Sequence, residues 1–443
     1  MLQAFGKTRM KFVAGAVLLS LASVAGAQTA TLVGGGATLP AVGYAGDTTT
    51  RYIDPIDGSF LKAFADINST TTSYCQTGSG GGKSILAGNV TGFSVNAKCE
   101  AGISPTGFTQ NGGGSLTQAA FIGSDSPYTS AEFANYLTAR SSTGGQPVQV
   151  PSVGGAVAIV FRKDGVESVQ LTEDDVCRVF SGQVTTWNQL ATAGALPGKV
   201  ASDFPANDRI KLAYRSDGSG TSFAFTNHLS AKCGRTAIGG NGLATAFKTD
   251  QSFATGFSAY AANFPAGTTL PASGNPAVVQ AVLDNDGSIG YAEAANAVFA
   301  GAGIAQVRND ATASYEDPTA FGPDLLPVTA VTDQVITGVD SDGRPVLSTL
   351  ASLNLAHQTG CMALVTPNSY AKPAAGYPIV AVSYLIVNSK SNGATTSLVK
   401  KLVAAPYDSA VQANTALIGS NGLSFLSLSG ANATTIANSC VAM

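Results

Sequence analysis

Arg215-Ser216-Asp217-Gly218-Ser219-Gly220-Thr221 sets a permanent cation, a carboxylate, hydroxyls and two glycines within one short run. Just before it, Ile210-Lys211-Leu212-Ala213-Tyr214 reads as a strand; just after it, Phe225 and Leu229 stand four apart, as on one helix face. A strand, a Gly/Ser turn and a helix start together make a cradle for an anion. The N–H groups of a helix's first turn have no partner within the helix and carry partial positive charge. Arg215 adds a planar pair of donors that matches a tetrahedral oxyanion. A capped helix after a polar turn would use the same residues, so the stretch takes its meaning from three further segments of the same kind.

The first is Gly34-Gly35-Gly36-Ala37-Thr38-Leu39-Pro40, which follows a short strand at 31–33. Its glycines allow close backbone approach, and Thr38 offers a hydroxyl and an N–H at an expected helix start. The second is Gln76-Thr77-Gly78-Ser79-Gly80-Gly81-Gly82-Lys83-Ser84-Ile85-Leu86. A nucleotide-binding P-loop would need glycine where Thr77 stands, and the export signal described below removes the chain from ATP. What remains is a Gly/Ser loop presenting N–H groups and the Ser79 hydroxyl to a smaller anion. In the third, a buried strand Ala119-Ala120-Phe121-Ile122 runs into Gly123-Ser124-Asp125-Ser126-Pro127. That order puts Asp125 at the C-terminal edge of a sheet, where α/β proteins bind ligands; a turn or helix cap is the plainer role for the same residue.

The 443 residues are 44% hydrophobic and only 12% charged, with 51 glycines. This is enough for a large core divided between two domains, with the polar loops of an exported protein. Lys7, Arg9 and Lys11 precede an apolar run at 12–24 closed by Ala25-Gly26-Ala27, the pattern of a cleavable signal peptide over residues 1–27. The run is short for a membrane span, no other stretch reads as one, and no cysteine follows for a lipid anchor. A periplasmic or secreted protein is expected. Losing residues 1–27 removes three basic residues and no acidic one, leaving 21 basic against 27 acidic and a net charge of −6. With no basic stripe to displace counterions, nucleic acid is excluded as a partner. An anion site here must be local and preorganised.

Cys75, Cys99, Cys177, Cys233, Cys361 and Cys440 form an even set in an exported chain, which points to disulfides, with pairing between nearest neighbours in sequence. No C-x-x-C or H-x₃-H spacing occurs, so neither a metal nor another cofactor is expected. Of the remaining elements, the apolar runs at 148–162, with Gly154-Gly155, and at 377–387 read as long strands that could cross between domains. Helices are expected at 60–67, at 173–180 with Thr172 as cap, at 278–283 and at 396–403, and a turn followed by a strand within Asp286–Glu293. Trp187 reads as packing. Residues 305–376 give no clear assignment, and the chain ends in a loop-rich tail.

Taken together, the four glycine-bearing segments resemble, in their order, those of phosphate-binding proteins, the periplasmic substrate-binding components of the phosphate ABC transporter. The sequence looks most similar to their secreted DING-type relatives. Val179-Phe180-Ser181-Gly182-Gln183-Val184-Thr185-Thr186-Trp187-Asn188, Gly287-Ser288-Ile289-Gly290-Tyr291-Ala292-Glu293 and Tyr377-Pro378-Ile379-Val380 resemble further landmarks. The Asp-Ile-Asn-Gly start of the DING group is replaced here by Thr31-Leu32-Val33 before Gly34, and residues 305–376 are longer and divergent. The resemblance implies an α/β fold of the two-lobed, class II-like periplasmic binding protein type. Two crossing strands would join the lobes, and the ligand would lie in the cleft between them. Residues 28–150 with 377–443 would form the first lobe and 151–376 the second. Thr38, Leu39, Ser79 and Asp125 would bind phosphate from the first lobe, and Arg215, Ser219, Gly220 and Thr221 from the second, with Asp217 orienting Arg215. The implied partners are inorganic phosphate and the membrane permease of the importer, and the implied state is a monomer without catalytic residues.

The chemistry of the residues agrees. Hydroxyls and backbone N–H groups supply many hydrogen bonds to a dehydrated oxyanion while adding little charge, each charge-assisted one contributing roughly 1.5–3 kcal/mol net. Several together reach about −8 kcal/mol, a micromolar constant, or tighter. Asp125 repels an anion unless the anion donates a proton, which HPO₄²⁻ and H₂PO₄⁻ can do and sulfate cannot. A site built around such a proton discriminates by on the order of 10⁴–10⁵. A phosphate-ester hydrolase is the second reading, though only His228 and His357 exist and no G-x-S-x-G elbow occurs. A surface adhesin retaining the pocket is the third.

Overall fold

The computed structural model describes residues 32–46, 52–53, 55–88, 103–104, 107–108, 119–233, 245–322 and 328–442. The expected signal peptide and Cys99 lie outside them.

The run around Gly154-Gly155 forms one strand, Pro147–Arg162, buried along nearly its whole length. A strand covered on both faces reads as a continuous apolar run rather than an alternating one, and this one lies inside an eleven-stranded sheet. Across that sheet the strands begin at Thr269, Lys211, Ser288, Pro147, Val380, Phe121, Leu32, Thr72 and Tyr52, and Gly303–Ile304 and Leu423–Phe425 also pair onto the long strand. The long strand changes partner along its length. Residues 147–156 pair antiparallel with Val380–Asn388, the second apolar run, and residues 157–162 pair antiparallel with Ser288–Glu293.

Either side of this centre the strands are parallel, apart from the edge strand Tyr52–Ile53, which pairs antiparallel. Leu32–Gly36 pairs with Thr72–Gln76 and Phe121–Ser124 on one flank. Lys211–Arg215 pairs with Thr269–Ala272 and Ser288–Glu293 on the other. The register carries the C-terminal ends of both flanks to the middle of the long strand. Ser124 lies opposite Tyr384 and Tyr384 opposite Pro151, while Glu293 lies opposite Val157. The loops that follow these strand ends therefore meet. Glycine leaves room for the packing at this midpoint, since a Cβ on Gly155 would stand 2.8 Å from Leu39 Cδ2 and one on Gly154 2.9 Å from Leu426 Cδ2, pushing those side chains aside.

Helices cover the sheet much as the periodicity predicts: Phe60–Ile67, Glu173–Phe180, Asn275–Leu283 and Thr396–Ala404. Thr172 caps its helix in a full capping box with Asp175. Trp187 is buried and donates its indole N–H to the Gly287 carbonyl (3.0 Å), a packing role. Disulfides join Cys177 to Cys233 and Cys361 to Cys440, as nearest-neighbour pairing predicts. Cys75 is also disulfide-bonded, and the expected pairing with Cys99 lies outside the described residues.

Three expectations are corrected. The glycines at 80–82 are not in a loop but inside a helix, Ser79–Leu86. Gly82 is needed because that helix lies against the sheet: a Cβ there would come 2.7 Å from the Cα of Gly36. The helix after Thr38 starts only at Ala41, with Pro40 at the cap, so Thr38 lies in the preceding turn. The tail is not loop-rich. It holds the helices Ser409–Ala413 and Ala433–Cys440 and the strand Leu423–Phe425. Residues 305–376, unassigned from sequence, contain several short strands, among them the bulged hairpin Gln334–Val339 and Pro345–Thr349.

Candidate functional site

The four glycine-bearing segments come together where the two parallel flanks meet. Arg215 ends its strand and is 1% exposed. Its Nε and Nη2 donate to the two carboxylate oxygens of Asp217 (2.7 and 2.5 Å), and its Nη1 donates to Thr38 Oγ1 (2.9 Å) and Asn275 Oδ1 (3.0 Å). Asp217 also accepts the Gly274 N–H (3.0 Å). Burial pulls the Arg215 pKa down, but the Asp217 carboxylate outweighs it and holds it above the usual value. Burial likewise pushes Asp217 up, and Arg215 outweighs it, leaving that carboxyl below the usual range. The result is a fixed, charged fork.

The helix Gly220–Lys232 starts beside it. Ser219 is its cap, with Oγ accepting the Ser222 N–H (3.0 Å) and its own N–H given to the Gln251 carbonyl (3.0 Å). Thr221 Oγ1 accepts from Asn275 Nδ2 (3.2 Å). Ser222 Oγ shares a hydrogen bond with the Tyr291 hydroxyl (2.6 Å), which in turn accepts the Arg215 N–H (3.3 Å).

From the opposite flank, Ser79 Oγ accepts two N–H groups, from Asp125 (3.0 Å) and from Gly220 (3.1 Å), and so joins both flanks. The Gly80 N–H donates to the Gly218 carbonyl (3.2 Å). Glycine at 220 is obligatory, because a Cβ there would lie 2.4 Å from Ser79 Oγ and 2.5 Å from Asp125 Cβ. Gly78, with φ +79°, would meet Asp217 Oδ2 at 2.7 Å. Thr38 Oγ1 also accepts the Asn275 N–H (3.4 Å). Leu39 is fully buried over Gly155, so only its backbone is on offer.

Asp125 differs from its neighbours. It is 1% exposed, and neither carboxylate oxygen has a hydrogen-bond partner. Burial pushes its carboxyl up to about 7, against the nearby Ser383 hydroxyl and the Arg215 and Lys83 cations, which pull it down. The Ser383 hydroxyl is near enough to act on the charge without making a hydrogen bond of normal geometry. A buried polar group without a partner is rare and marks a functional site more often than a structural one.

The family model described as a PBP superfamily domain matches residues 36–404. The chain belongs to this superfamily. It is 30% identical, over 91% of its own length and 88% of the relative's, to the protein named alkaline phosphatase L of Pseudomonas aeruginosa (strain UCBPP-PA14). It is 28% identical, over 69% and 78%, to a phosphate-binding protein from an unknown prokaryotic organism. Among solved structures it resembles a high affinity periplasmic phosphate-binding protein (PfluDING) bound with phosphate, at 26% identity, TM-score 0.58 and 92% coverage of both chains. It also resembles the phosphate-binding protein of Stenotrophomonas maltophilia, at 26% identity, TM-score 0.54, and 86% and 84% coverage. The mixed α/β, curled-sheet fold is that of the two-lobed periplasmic phosphate-binding proteins.

Within this superfamily member the structure gathers Thr38, Ser79, Asp125, Arg215, Gly220 and Thr221, supported by Asp217, while Ser219 serves as a helix cap. Sequence reasoning missed Asn275, which bonds both Arg215 and Thr221, and also Gly274 and Tyr291. Gly274-Asn275-Pro276 does carry a signal, a glycine and a proline at the start of a helix that follows a parallel strand. The two histidines face elsewhere: His228 Nδ1 meets the Ala371 carbonyl (3.0 Å) and His357 Nδ1 the Leu355 carbonyl (2.8 Å). Among the described residues no group of three or more His, Cys, Asp or Glu side chains could hold a metal ion, and no helix is long and apolar enough to cross a membrane.

Proposed function

We propose that this chain captures inorganic phosphate in the cleft between its lobes and delivers it to the membrane permease of an importer, working outside the cytoplasm and doing no chemistry on its ligand. The observation that carries this reading is the buried, unpartnered Asp125 beside the Arg215 fork, four of whose five N–H donors are bonded and one of which, on Nη2, remains for a ligand. A carboxylate in an anion cradle is a liability unless the anion brings a proton, and hydrogen phosphate does. Relatives and structural neighbours named as phosphate-binding proteins, one of them bound with phosphate, support the same conclusion. The ligand's contacts would come from Thr38, the Leu39 backbone, Ser79, Asp125, Arg215, Ser219, Gly220 and Thr221. The division into lobes would fall where the long strand changes partner, after Ala156, rather than near residue 150. The segment at 361–365, tied by Cys361 to Cys440, would belong with the first lobe.

The relatives named alkaline phosphatase L favour a second reading, hydrolysis of phosphate esters. Against it, no histidine lies at the cradle among the described residues, and the Ser79 hydroxyl at its centre already accepts two N–H groups. Calorimetry on residues 28–443, stripped of bound ligand, separates the readings. Phosphate binding at micromolar or tighter, undisturbed by excess sulfate, together with no release of p-nitrophenol from its phosphate ester, is the expected result. Turnover without phosphate binding would sink the transport reading.

A further inference from the structure

Lys83 is a cation that the cradle, as described, does not use. It sits on the Ser79 helix, 3% exposed, and all of its protons have acceptors: Ser126 Oγ (3.1 Å), the Pro127 carbonyl (2.8 Å) and Glu132 Oε2 (2.9 Å). Ser126 and Pro127 directly follow Asp125, so this ammonium ties the Ser79 helix to the loop that carries the unpartnered carboxylate. Glu132 is fixed in turn. Its Oε2 accepts the Thr129 N–H (2.8 Å), and its Oε1 accepts from Gln251 Nε2 (2.9 Å), whose carbonyl holds the Ser219 N–H. Burying an ammonium is costly even when it is paired, and a neutral side chain could have pinned the loop. A positive charge at this place needs a reason.

We propose that Lys83 is a specificity-determining positioning residue: it holds the Asp125 loop through Ser126 and Pro127 and sets a second buried cation near it, which favours the ionised carboxylate and thereby the discrimination against sulfate. The inference rests on the phosphate reading above. Ionised, Asp125 accepts the O–H of hydrogen phosphate and repels sulfate, which has no proton to offer. Protonated, it would donate to a sulfate oxygen and admit the wrong anion. Burial alone pushes Asp125 towards the protonated form, so its charge near neutral pH depends on its neighbours. Arg215 and Lys83 are the cations that face it, and the Ser383 hydroxyl acts in the same direction. The other titratable groups that sense it are Tyr44, Tyr74 and Tyr370, kept neutral by burial, and Glu293, pushed up to about 8 by burial and bonded to the Ala295 and Asn296 N–H groups. Burial draws the Lys83 ammonium itself down, but three acceptors, one of them the Glu132 carboxylate, hold its charge.

The test is phosphate titration against a fixed excess of sulfate from pH 5 to pH 9, on the mature chain and on Lys83→Gln, Lys83→Arg and the double variant Lys83→Met/Glu132→Gln. The double variant removes both buried charges, so no orphan carboxylate remains to unfold it. In the wild type, sulfate competes only as pH falls through the Asp125 pKa. Both neutralised variants are expected to admit sulfate at higher pH, with discrimination at neutral pH reduced about tenfold for each unit the Asp125 pKa rises. Lys83→Arg should keep the wild-type profile. An unchanged pH profile in a folded neutralised variant overturns the proposal. So does a Lys83→Arg profile displaced as far as that of Lys83→Gln, or failure of both neutralised variants to fold, since Lys83 would then be structural only. Failure of the wild type to bind phosphate at any pH would sink the phosphate reading itself, a result distinct from all of these.

Discussion

Two carboxylates face the same cleft in opposite condition. Asp217, on the Arg215 flank, grips the guanidinium through both oxygens, takes a backbone N–H besides, and is held below the usual carboxylate range. Asp125, on the Ser79 flank, is more deeply buried (1% exposed, against 19% for the Asp217 side chain), its carboxylate has no hydrogen bond, and it is pushed up to about 7. On the proposed phosphate reading, the difference teaches that affinity and selectivity would be built in different halves. The Arg215 fork is held before any anion arrives, by Asn275, Tyr291 and Asp217 of its own flank and by Thr38 of the other, so little ordering remains to be done on binding. The Ser79 flank leaves one acceptor open, and only a ligand that brings a proton completes it.

Breaking the Arg215 half should have the largest effect. Arg215→Met removes the fork and strands Asp217 with a buried charge, and leaving one partner of a buried pair alone costs about 3–5 kcal/mol. Phosphate affinity measured by calorimetry should fall by on the order of 10²–10³-fold. Arg215→Lys should restore little of it, because a point charge cannot satisfy both Asp217 oxygens and reach Thr38. A lysine variant within a factor of a few of wild type would show that charge alone, not the fork, binds the anion.

Breaking the open half should separate stability from selectivity. The carboxyl of Asp125 has a folded-state pKa of about 7, above its unfolded value of about 3.9. The folded state therefore holds the proton more tightly, and ligand-free stability falls as pH rises through the window between these values. The loss is complete above about pH 7 and amounts to about 4 kcal/mol by linkage. Asp125→Asn has no such penalty. The ligand-free variant should melt higher than wild type at pH 8 and much closer to it at pH 4, and it should no longer exclude sulfate. Equal melting differences at both pH values would mean that the carboxylate is solvated after all.

This contrast explains what the sequence makes legible. The four cradle segments announce themselves because glycine, serine and a lone Arg-Asp pair between a strand and a helix are unusual locally, and the long strands because they are apolar throughout. Asn275 and Tyr291 are ordinary residues on ordinary elements. Their roles come from the parallel register of Lys211–Arg215 with its neighbours, which no local window contains. Gly80 to Gly82 misled in the other direction. Local propensity reads them as loop, while they lie within a helix whose close packing on Gly36 demands glycine at 82. Lys83 stands in the same run, yet its burial follows only from the placing of the Asp125 loop. The short strands in 305–376 carry too few residues for a period to emerge.

The finest test of the comparison lies at the one residue that completes the Arg215 flank from outside its motif. Asn275 accepts from Arg215 Nη1 and donates to Thr221 Oγ1, both buried. Asn275→Ala leaves the Asp217 clamp intact and removes only these two bonds, so it loosens the fork without discharging it. Hydrogen bonds of this kind contribute about 1 kcal/mol each. Phosphate affinity should weaken by roughly tenfold, while exclusion of sulfate, which depends on Asp125, should not change. If Asn275→Ala admitted sulfate as readily as Asp125→Asn, the two flanks would be one coupled unit rather than two devices. If it changed neither property, the fork would owe its position to Asp217 alone.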